Sequence, residues 1–291
     1  MLAVTSLVKN RVWILPYFLN CLYNLAYPRE ATSVILLDDA STDGSRELLD
    51  EFRVAHAREY RHLLIMDNPN PVGTNTSSRG MKNRYPIYRN LARLRNRVLR
   101  KACELECKWQ FSVDTDILFV PDVLQQLGQH HLPYVSTIII NDATALDRFD
   151  YDRLENRHVN FGNLEVWDGQ ELYVNFPYQL GRLHEVMISG ACYLINEQAL
   201  YSGAEYGFHH LGEDTAYCLN LRERGIGIVC DTTPKAVHVM EPRFLPDAQI
   251  AFQRLMTGAL IGMENRQSSG YDLATVNAVS GILAPSTIVS L

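Results

Sequence analysis

With 291 residues, 47% of them hydrophobic and 21% charged, the chain has ordinary globular composition and ample material for a core. The length fits one large domain, or one domain with a small appendage. A formal net charge of −6 argues against wholesale nucleic-acid binding, which needs a strongly basic footprint, so no nucleic-acid partner is expected.

Six scattered cysteines (Cys21, Cys103, Cys107, Cys192, Cys218 and Cys230) give neither a paired zinc spacing nor a disulfide framework, and they read as buried small apolar residues. The apolar stretch from Val12 to Tyr27 follows Lys9 and Arg11 as a secretory signal's core would. Pro16, Asn20 and Asn24 interrupt it, no small-residue cleavage site follows, and it is too short and polar to cross a bilayer. The expectation is a cytoplasmic soluble protein, with peripheral membrane association left open.

In chain order, Leu2–Val8 predicts a buried strand, Val12–Leu25 a helix and Ser33–Leu37 a second strand ending at Asp38 and Asp39. The cluster Ser41-Thr42-Asp43-Gly44 starts a helix running to about Tyr60, and His62–Met66 is a third strand. Short apolar runs alternating with helices are the mark of a parallel, covered sheet. Asn68–Pro86, rich in Pro, Gly, Asn and Ser, reads as a long loop, and Tyr88–Glu106 as a strong helix. Trp109–Val113 is the fourth strand, a helix follows Pro121 to about Gln129, and Tyr134–Ile140 is the fifth strand. Thr144–Tyr178 reads as irregular. Val186–Ile195 is strand-like with Ser189-Gly190-Ala191 at its centre, Glu213–Arg224 is helical, and Ile228–Cys230 is a short strand. Val237-His238-Val239 follows, Pro246–Met263 fits a last amphipathic helix, and no internal repeat is visible.

Asp114-Thr115-Asp116 closes the fourth strand. Carboxylates one residue apart on an extended segment project to the same side, and like charges so close call for a cation. A divalent metal between carboxylates commonly holds a diphosphate. Asp is also frequent in strand-end turns, so the motif alone does not decide between the two.

Four pieces line up in order: Asp38-Asp39-Ala40-Ser41-Thr42-Asp43-Gly44, Asp114-Thr115-Asp116, Gly212-Glu213-Asp214 opening a helix, and a late His238. This series resembles the nucleotide-sugar glycosyltransferases of the GT-A fold, family 2 above all. Leu91-Ala92-Arg93-Leu94-Arg95-Asn96, Trp109 and Phe149-Asp150-Tyr151-Asp152 add a likeness to fungal mannan-polymerase mannosyltransferases and collagen galactosyltransferases. The likeness covers about residues 1–245. Two features depart from family 2: Val8-Lys9-Asn10-Arg11 replaces the usual Pro-Thr-Tyr-Asn, and the Gln-x-x-Arg-Trp motif is absent.

The resemblance implies an α/β fold: a Rossmann-like, mostly parallel central sheet flanked by helices, with a small mixed acceptor-side sheet. Residues 1–245 form the glycosyltransferase domain, split into a nucleotide-binding half (1–140) and an acceptor-side half (141–245), and 246–291 form a C-terminal helix and tail. It also implies a UDP- or GDP-sugar donor, a glycan, lipid or protein hydroxyl as acceptor, and a manganese or magnesium cofactor.

On this reading Asp116 ligates the metal, Asp114 contacts the ribose or a metal-bound water, and His238 completes the sphere; its imidazole favours Mn2+ over Mg2+. A lone His between Val237 and Val239 is otherwise a packed core residue. Asp214 is the general base and Glu213 orients it or the acceptor; the helix dipole, which alone explains acids in a first turn, is expected to keep Asp214 ionised. Asp38 and Asp39 sit where a nucleoside binds, or else cap the next helix. Lys9, Arg95 and Lys82 are candidate diphosphate contacts, while the face of Arg89, Arg93, Arg97 and Arg100 reads as solvated. Gly190 permits close approach to the sugar, or marks a tight strand crossing. Trp167, Tyr173 and Tyr178 are stacking candidates for an acceptor sugar or local packing. Two other function classes remain: a nucleotidyltransferase on a similar sheet, although Lys9-Asn10-Arg11 lacks that class's glycines, and a non-catalytic glycan- or partner-binding relative.

Overall fold

The computed structural model describes residues 1–71, 81–139, 159–174 and 178–257, with backbone alone at 81–83. Its centre is an eight-stranded sheet. Strands β1 (Leu2–Val8) and β2 (Thr32–Asp38) are predominantly apolar and buried almost throughout, as strands covered on both faces are. Helices α1 (Leu15–Tyr23) and α2 (Ser45–His56) flank them, β3 (His62–Asp67) follows, and α3 (Met81–Glu104) leads to β4 (Trp109–Val113). Then come β5 (Ile117–Phe119), α4 (Val123–Gly128), β6 (Tyr134–Thr137), β7 (Phe161–Trp167), β8 (Gln170–Val174), β9 (Leu183–Val186), β10 (Ile188–Ser189) and β11 (Cys192–Asn196). The described chain ends with α5 (Glu197–Leu200), α6 (Glu213–Glu223), β12 (Ile228–Asp231), β13 (Ala236–His238) and α7 (Leu245–Met256).

The order across the central sheet is β3-β2-β1-β4-β11-β6-β12-β9. The β1–β2, β2–β3, β1–β4 and β6–β12 pairs are parallel, while β11 and β9 run antiparallel to their neighbours. This is the mostly parallel α/β sheet expected. Alternate residues feed two cores. Val4, Val34, Leu36, Phe111 and Val113 pack against α1, α2, α4 and α7. Ala3, Ile35, Leu37, Tyr193 and Ile195 pack against α3 and α6. Among the described residues no helix is long and apolar enough to cross a membrane, and all six cysteines are free thiols, five of them buried.

Several elements depart from expectation. The span read as irregular contains a hairpin, β7–β8, which joins β10 in a three-stranded antiparallel sheet rather than a mixed one. Its turn is Asp168-Gly169, both with positive φ (50° and 73°), the backbone that a two-residue hairpin of right-handed twist requires. The single strand expected over Val186–Ile195 is three pieces: β9 and β10 pair with different strands, β12 and β7, and Ala191, with a left-handed φ of 66°, separates β10 from β11 beside Gly190. Helix α3 starts at Met81 and runs through Pro86, so the Pro-rich loop ends earlier than expected; Pro86 removes one backbone donor near the helix start. Residues 72–80 of that loop, the 149–152 segment, residues 144–158 and 175–177, and the tail beyond 257 lie outside the described residues.

Candidate active site

Loops at the C-terminal ends of β1 and β2 are stitched together. Asn10 Oδ1 accepts the Thr42 amide at 2.8 Å, Ser41 Oγ accepts the Asn10 amide at 3.0 Å, and Ser45 Oγ accepts the Arg11 amide at 2.7 Å. Asp43 accepts the amides of Val12 (2.9 Å) and Ser45 (3.0 Å), so it locks the loop ahead of α2. Asp38 accepts the Ser41 amide, at 3.2 Å on each oxygen, a turn-closing contact at the strand end. Asp39 is buried and accepts hydrogen bonds from Asn68 and, at 3.1 Å, from Asn90. Lys9 Nζ lies 3.9 Å from Asp39 Oδ2 and donates to the Asp39 and Ala40 carbonyls. Lys9, Asp38 and Asp39 therefore gather at the strand ends where such sheets bind ligands, each already carrying a protein partner.

Asp114 and Asp116 sit in a β-turn between β4 and β5, closed by the Ile117 amide on the Asp114 carbonyl at 3.1 Å, not on an extended segment. Their carboxylates therefore take different partners. Antiparallel pairing of β13 with β5 sets His238 opposite Ile117, and the Val239 amide donates to the Asp116 carbonyl at 2.8 Å. His238 Nε2 consequently lies 3.5 Å from Asp116 Oδ1, while Arg11 Nη2 lies 3.1 Å from Asp116 Oδ2. Burial pushes the Asp116 carboxyl up, but the His238 imidazole and the Arg11 guanidinium outweigh it and hold its pKa down at about 2. A permanently ionised, nearly buried carboxylate beside an imidazole nitrogen is a donor set that fits a divalent transition ion.

The second half of the site is organised by Arg95, which is 6% exposed. Its Nη2 lies 2.9 Å from Asp114 Oδ1, and its Nε 3.0 Å from Glu213 Oε1 and 3.7 Å from Asp214 Oδ1. Arg95, read from the sequence as a diphosphate contact, pairs with three carboxylates drawn from β4's end and α6's first turn. The rings of Tyr206 and Tyr217 stack at 4.1 Å, and the Arg95 guanidinium lies 5.8 Å from the Tyr206 centroid. The Asn96 side chain fixes the same segment through both the carbonyl and the amide of Tyr206, each at 2.8 Å.

Asp214 Oδ1 is buried and takes no hydrogen bond. Burial raises the Asp214 pKa to about 7 against the lowering pull of Arg95, with the Glu213 and Asp114 charges adding to the rise. Desolvation here opposes the helix dipole, which favours the ionised acid. Gly190 explains how the carboxyl fits, since a Cβ there would stand 2.5 Å from Asp214 Oδ2 and 2.8 Å from its Cγ. The next residue, Ala191, accepts the Asp114 amide at 2.9 Å, so the Ser189–Ala191 crossing separates and aligns the two acidic elements.

Other sequence candidates take local partners. Arg93 donates to Asn68 and Asn90, Arg97 to the Asp67 carbonyl and Arg100 to Glu205, and Arg89 lies over the Phe208 ring at 4.2 Å. Tyr173 donates to the Val159 carbonyl and Tyr178 packs edge-on against Phe161 at 5.2 Å, whereas Trp167 is 74% exposed at the hairpin tip. The Lys82 side chain lies outside the described residues. Sequence reasoning missed Arg11 as the counter-charge of Asp116; the only signal was its position one loop beyond a strand end.

The comparisons agree with this architecture. Residues 1–149 match the model of glycosyltransferase family 25, N-terminal domain. A glycosyltransferase 25 family member of Drosophila pseudoobscura pseudoobscura is 25% identical over 143 residues, which are 48% of this chain and 23% of that protein. One from Drosophila melanogaster is 25% identical over 141 residues, with the same coverage of each. The chain therefore matches under a quarter of the length of these curated relatives. Among solved structures, GalNAc-T7 with UDP, GalNAc and Mn2+ superposes with a TM-score of 0.53 at 12% identity, over 87% of this chain and 47% of that one, a likeness of fold. A GT-A sheet with acidic groups at its strand ends, as the sequence resemblance implied, and a family model spanning residues 1–149 lead to one conclusion: this chain belongs to glycosyltransferase family 25.

Proposed function

We propose that the protein is a metal-dependent hexosyltransferase, moving a sugar from a UDP- or GDP-sugar to a hydroxyl on a glycan, lipid or protein, with inversion at the anomeric carbon. The observation that carries this reading is the convergence of Asp114, Asp116, His238, Glu213 and Asp214 around Arg11 and Arg95 at the ends of the parallel strands. The GalNAc-T7 structure of the same fold was solved with UDP, GalNAc and Mn2+, the nucleotide and cation pairing proposed here.

Asp116 and His238 hold the cation, with Asp114 beside them, and the nitrogen ligand selects Mn2+ over Mg2+. The chemistry a divalent ion supplies there is Lewis-acid stabilisation of the charge on the departing diphosphate. Lys9 and Asp39 line the nucleoside end. Asp214, with a pKa near the working pH and a buried oxygen that takes no hydrogen bond, takes the proton from the acceptor hydroxyl as that oxygen attacks. Arg95 and Glu213 fix its orientation, and Gly190 leaves room for its carboxyl. A base on the attacking side fits single displacement and hence inversion. Incubation of purified protein with Mn2+ and a panel of UDP- and GDP-sugars tests the proposal: slow hydrolysis of at least one is expected. Release of pyrophosphate from a nucleoside triphosphate would instead identify a nucleotidyltransferase.

A further inference from the structure

Away from the carboxylates at the strand ends, Glu171, His209 and His210 bring one carboxylate oxygen and two imidazole nitrogens within 4.8 Å of one another. We infer that these residues form a second metal site, distinct from Asp114 and Asp116, which takes one zinc ion and clamps the β7–β8 hairpin to the start of α6.

The donors come from separate parts of the chain. Glu171 is the second residue of β8, and the histidines lie 38 residues or more further on, in the turn that the Gly212 amide closes on the His209 carbonyl at 3.2 Å. That turn is firmly seated, because the neighbouring Phe208 packs edge-on against Tyr85 at 5.1 Å and under Arg89 at 4.2 Å. The two imidazoles stack at 4.5 Å between centroids, so both nitrogens face the hairpin from one side. His209 Nε2 lies 3.1 Å from Glu171 Oε2, and His210 Nε2 lies 3.2 Å from the Glu171 carbonyl. Two imidazoles and one carboxylate with an open fourth position are a zinc donor set, and harder cations that prefer oxygen alone fit it poorly.

Tetrahedral zinc with ligands at about 2.0 Å places its donors about 3.3 Å apart, so small side-chain rotations close the cluster. The Leu211 amide donates to His209 Nδ1 at 3.2 Å, which places that ring's proton on Nε2 in the metal-free protein. When Nε2 ligates zinc the proton moves to Nδ1 and the weak Leu211 contact is given up. The consequence for the molecule is a cross-link between the acceptor-side hairpin and the turn that precedes Glu213 and Asp214.

Zinc titration of the chelator-treated full chain, followed by calorimetry and by the visible absorption of Co2+ as a substitute, tests this. Wild-type protein is expected to bind one equivalent of each metal at this cluster, in addition to any ion held by Asp116 and His238. His209→Ala and His210→Ala each lose it, Glu171→Gln weakens it about tenfold or more, in the range that perturbing a metal's ligand shell costs, and Asp116→Asn retains it. Amide exchange across residues 161–174 is expected to slow on zinc addition in the wild type but not in the His209→Ala protein, which separates binding at this cluster from binding elsewhere. Equal zinc binding by the double histidine variant, loss of binding in Asp116→Asn, or no saturable zinc binding by the wild type overturns the inference. Sugar-transfer activity plays no part in the readout, so failure here and failure of the glycosyltransferase proposal are distinguishable.

Discussion

Arg11 Nη2 stands 3.1 Å from Asp116 Oδ2, so the carboxylate best placed to ligate a cation already carries a protein cation on one oxygen. Arg11 is about a third exposed, which limits its electrostatic weight to about 1 kcal/mol. Removing it should therefore favour the metal: Arg11→Gln is expected to bind Mn2+ about fivefold tighter than wild type in the absence of nucleotide. Calorimetry or the electron paramagnetic resonance of free Mn2+ reads the difference directly, and unchanged affinity would show that Arg11 does not compete for that oxygen.

Asp214 titrates near neutrality because it is desolvated. A general base works only when ionised, so kcat/KM is expected to rise with pH up to about 7 and level off above it. Asp214→Asn removes the proton acceptor with little change in shape and should lower kcat by about 10²- to 10⁴-fold. A wild-type profile that is flat from acid to neutral pH would separate Asp214 from the proton transfer.

Gly190 is predicted to tolerate no side chain. In Gly190→Ala the methyl meets the Asp214 carboxyl, which cannot retreat along its short side chain without losing its aim. Overpacking of this kind costs about 1–3 kcal/mol, and a displacement of about 1 Å at a catalytic group costs about 10²-fold in rate. A cooperative melt lowered by a few degrees with activity nearly lost is the expected pair of observations. Full activity in a folded Gly190→Ala protein would show that Asp214 has room to spare.

Arg95 pairs with Asp114, Glu213 and Asp214 from a buried position and offsets part of their charge. Arg95→Met strands those charges and should destabilise the fold by about 3–5 kcal/mol. The loss should depend on pH. Asp214's folded pKa is already above its unfolded value, and removing the guanidinium that lowers it raises it further. Such a group is protonated in both states at low pH; as pH climbs from the unfolded value towards the folded one, the unfolded chain ionises first and stability falls. Arg95→Met is thus expected to melt higher at pH 5 than at pH 8, with a wider gap than wild type, in calorimetry at the two pH values.

Much of this was legible from the chain alone, and the failures share a cause. Strands β1, β2 and β4 were found because a strand buried on both faces is rich in apolar residues and nearly free of charge, and that pattern is local. The Asp114–Asp116 pair and the acids opening α6 were likewise visible as short motifs. The β7–β8 hairpin was missed although Trp167-Asp168-Gly169-Gln170 carries a two-residue turn signal. One end of it is solvent-exposed on both faces, so its alternation of apolar and polar residues is blurred by Glu165, Glu171 and Trp167. The Asp214 pKa ran against the local helix-dipole argument, because burial by Gly190 and the β10–β11 crossing is set by residues distant in sequence. The carboxylate partners of Arg95 were hidden for the same reason: they come from two elements that meet only in the folded sheet.

The central claim is that Asp116, with His238, holds a cation that grips a nucleoside diphosphate. Calorimetric titration of UDP and of GDP into the protein, with and without Mn2+, in wild type and in Asp116→Asn, tests it most directly. Saturable, Mn2+-dependent binding of at least one nucleotide that disappears in Asp116→Asn is the predicted result. Absence of binding by either nucleotide, or binding that ignores both Mn2+ and the substitution, would contradict the account.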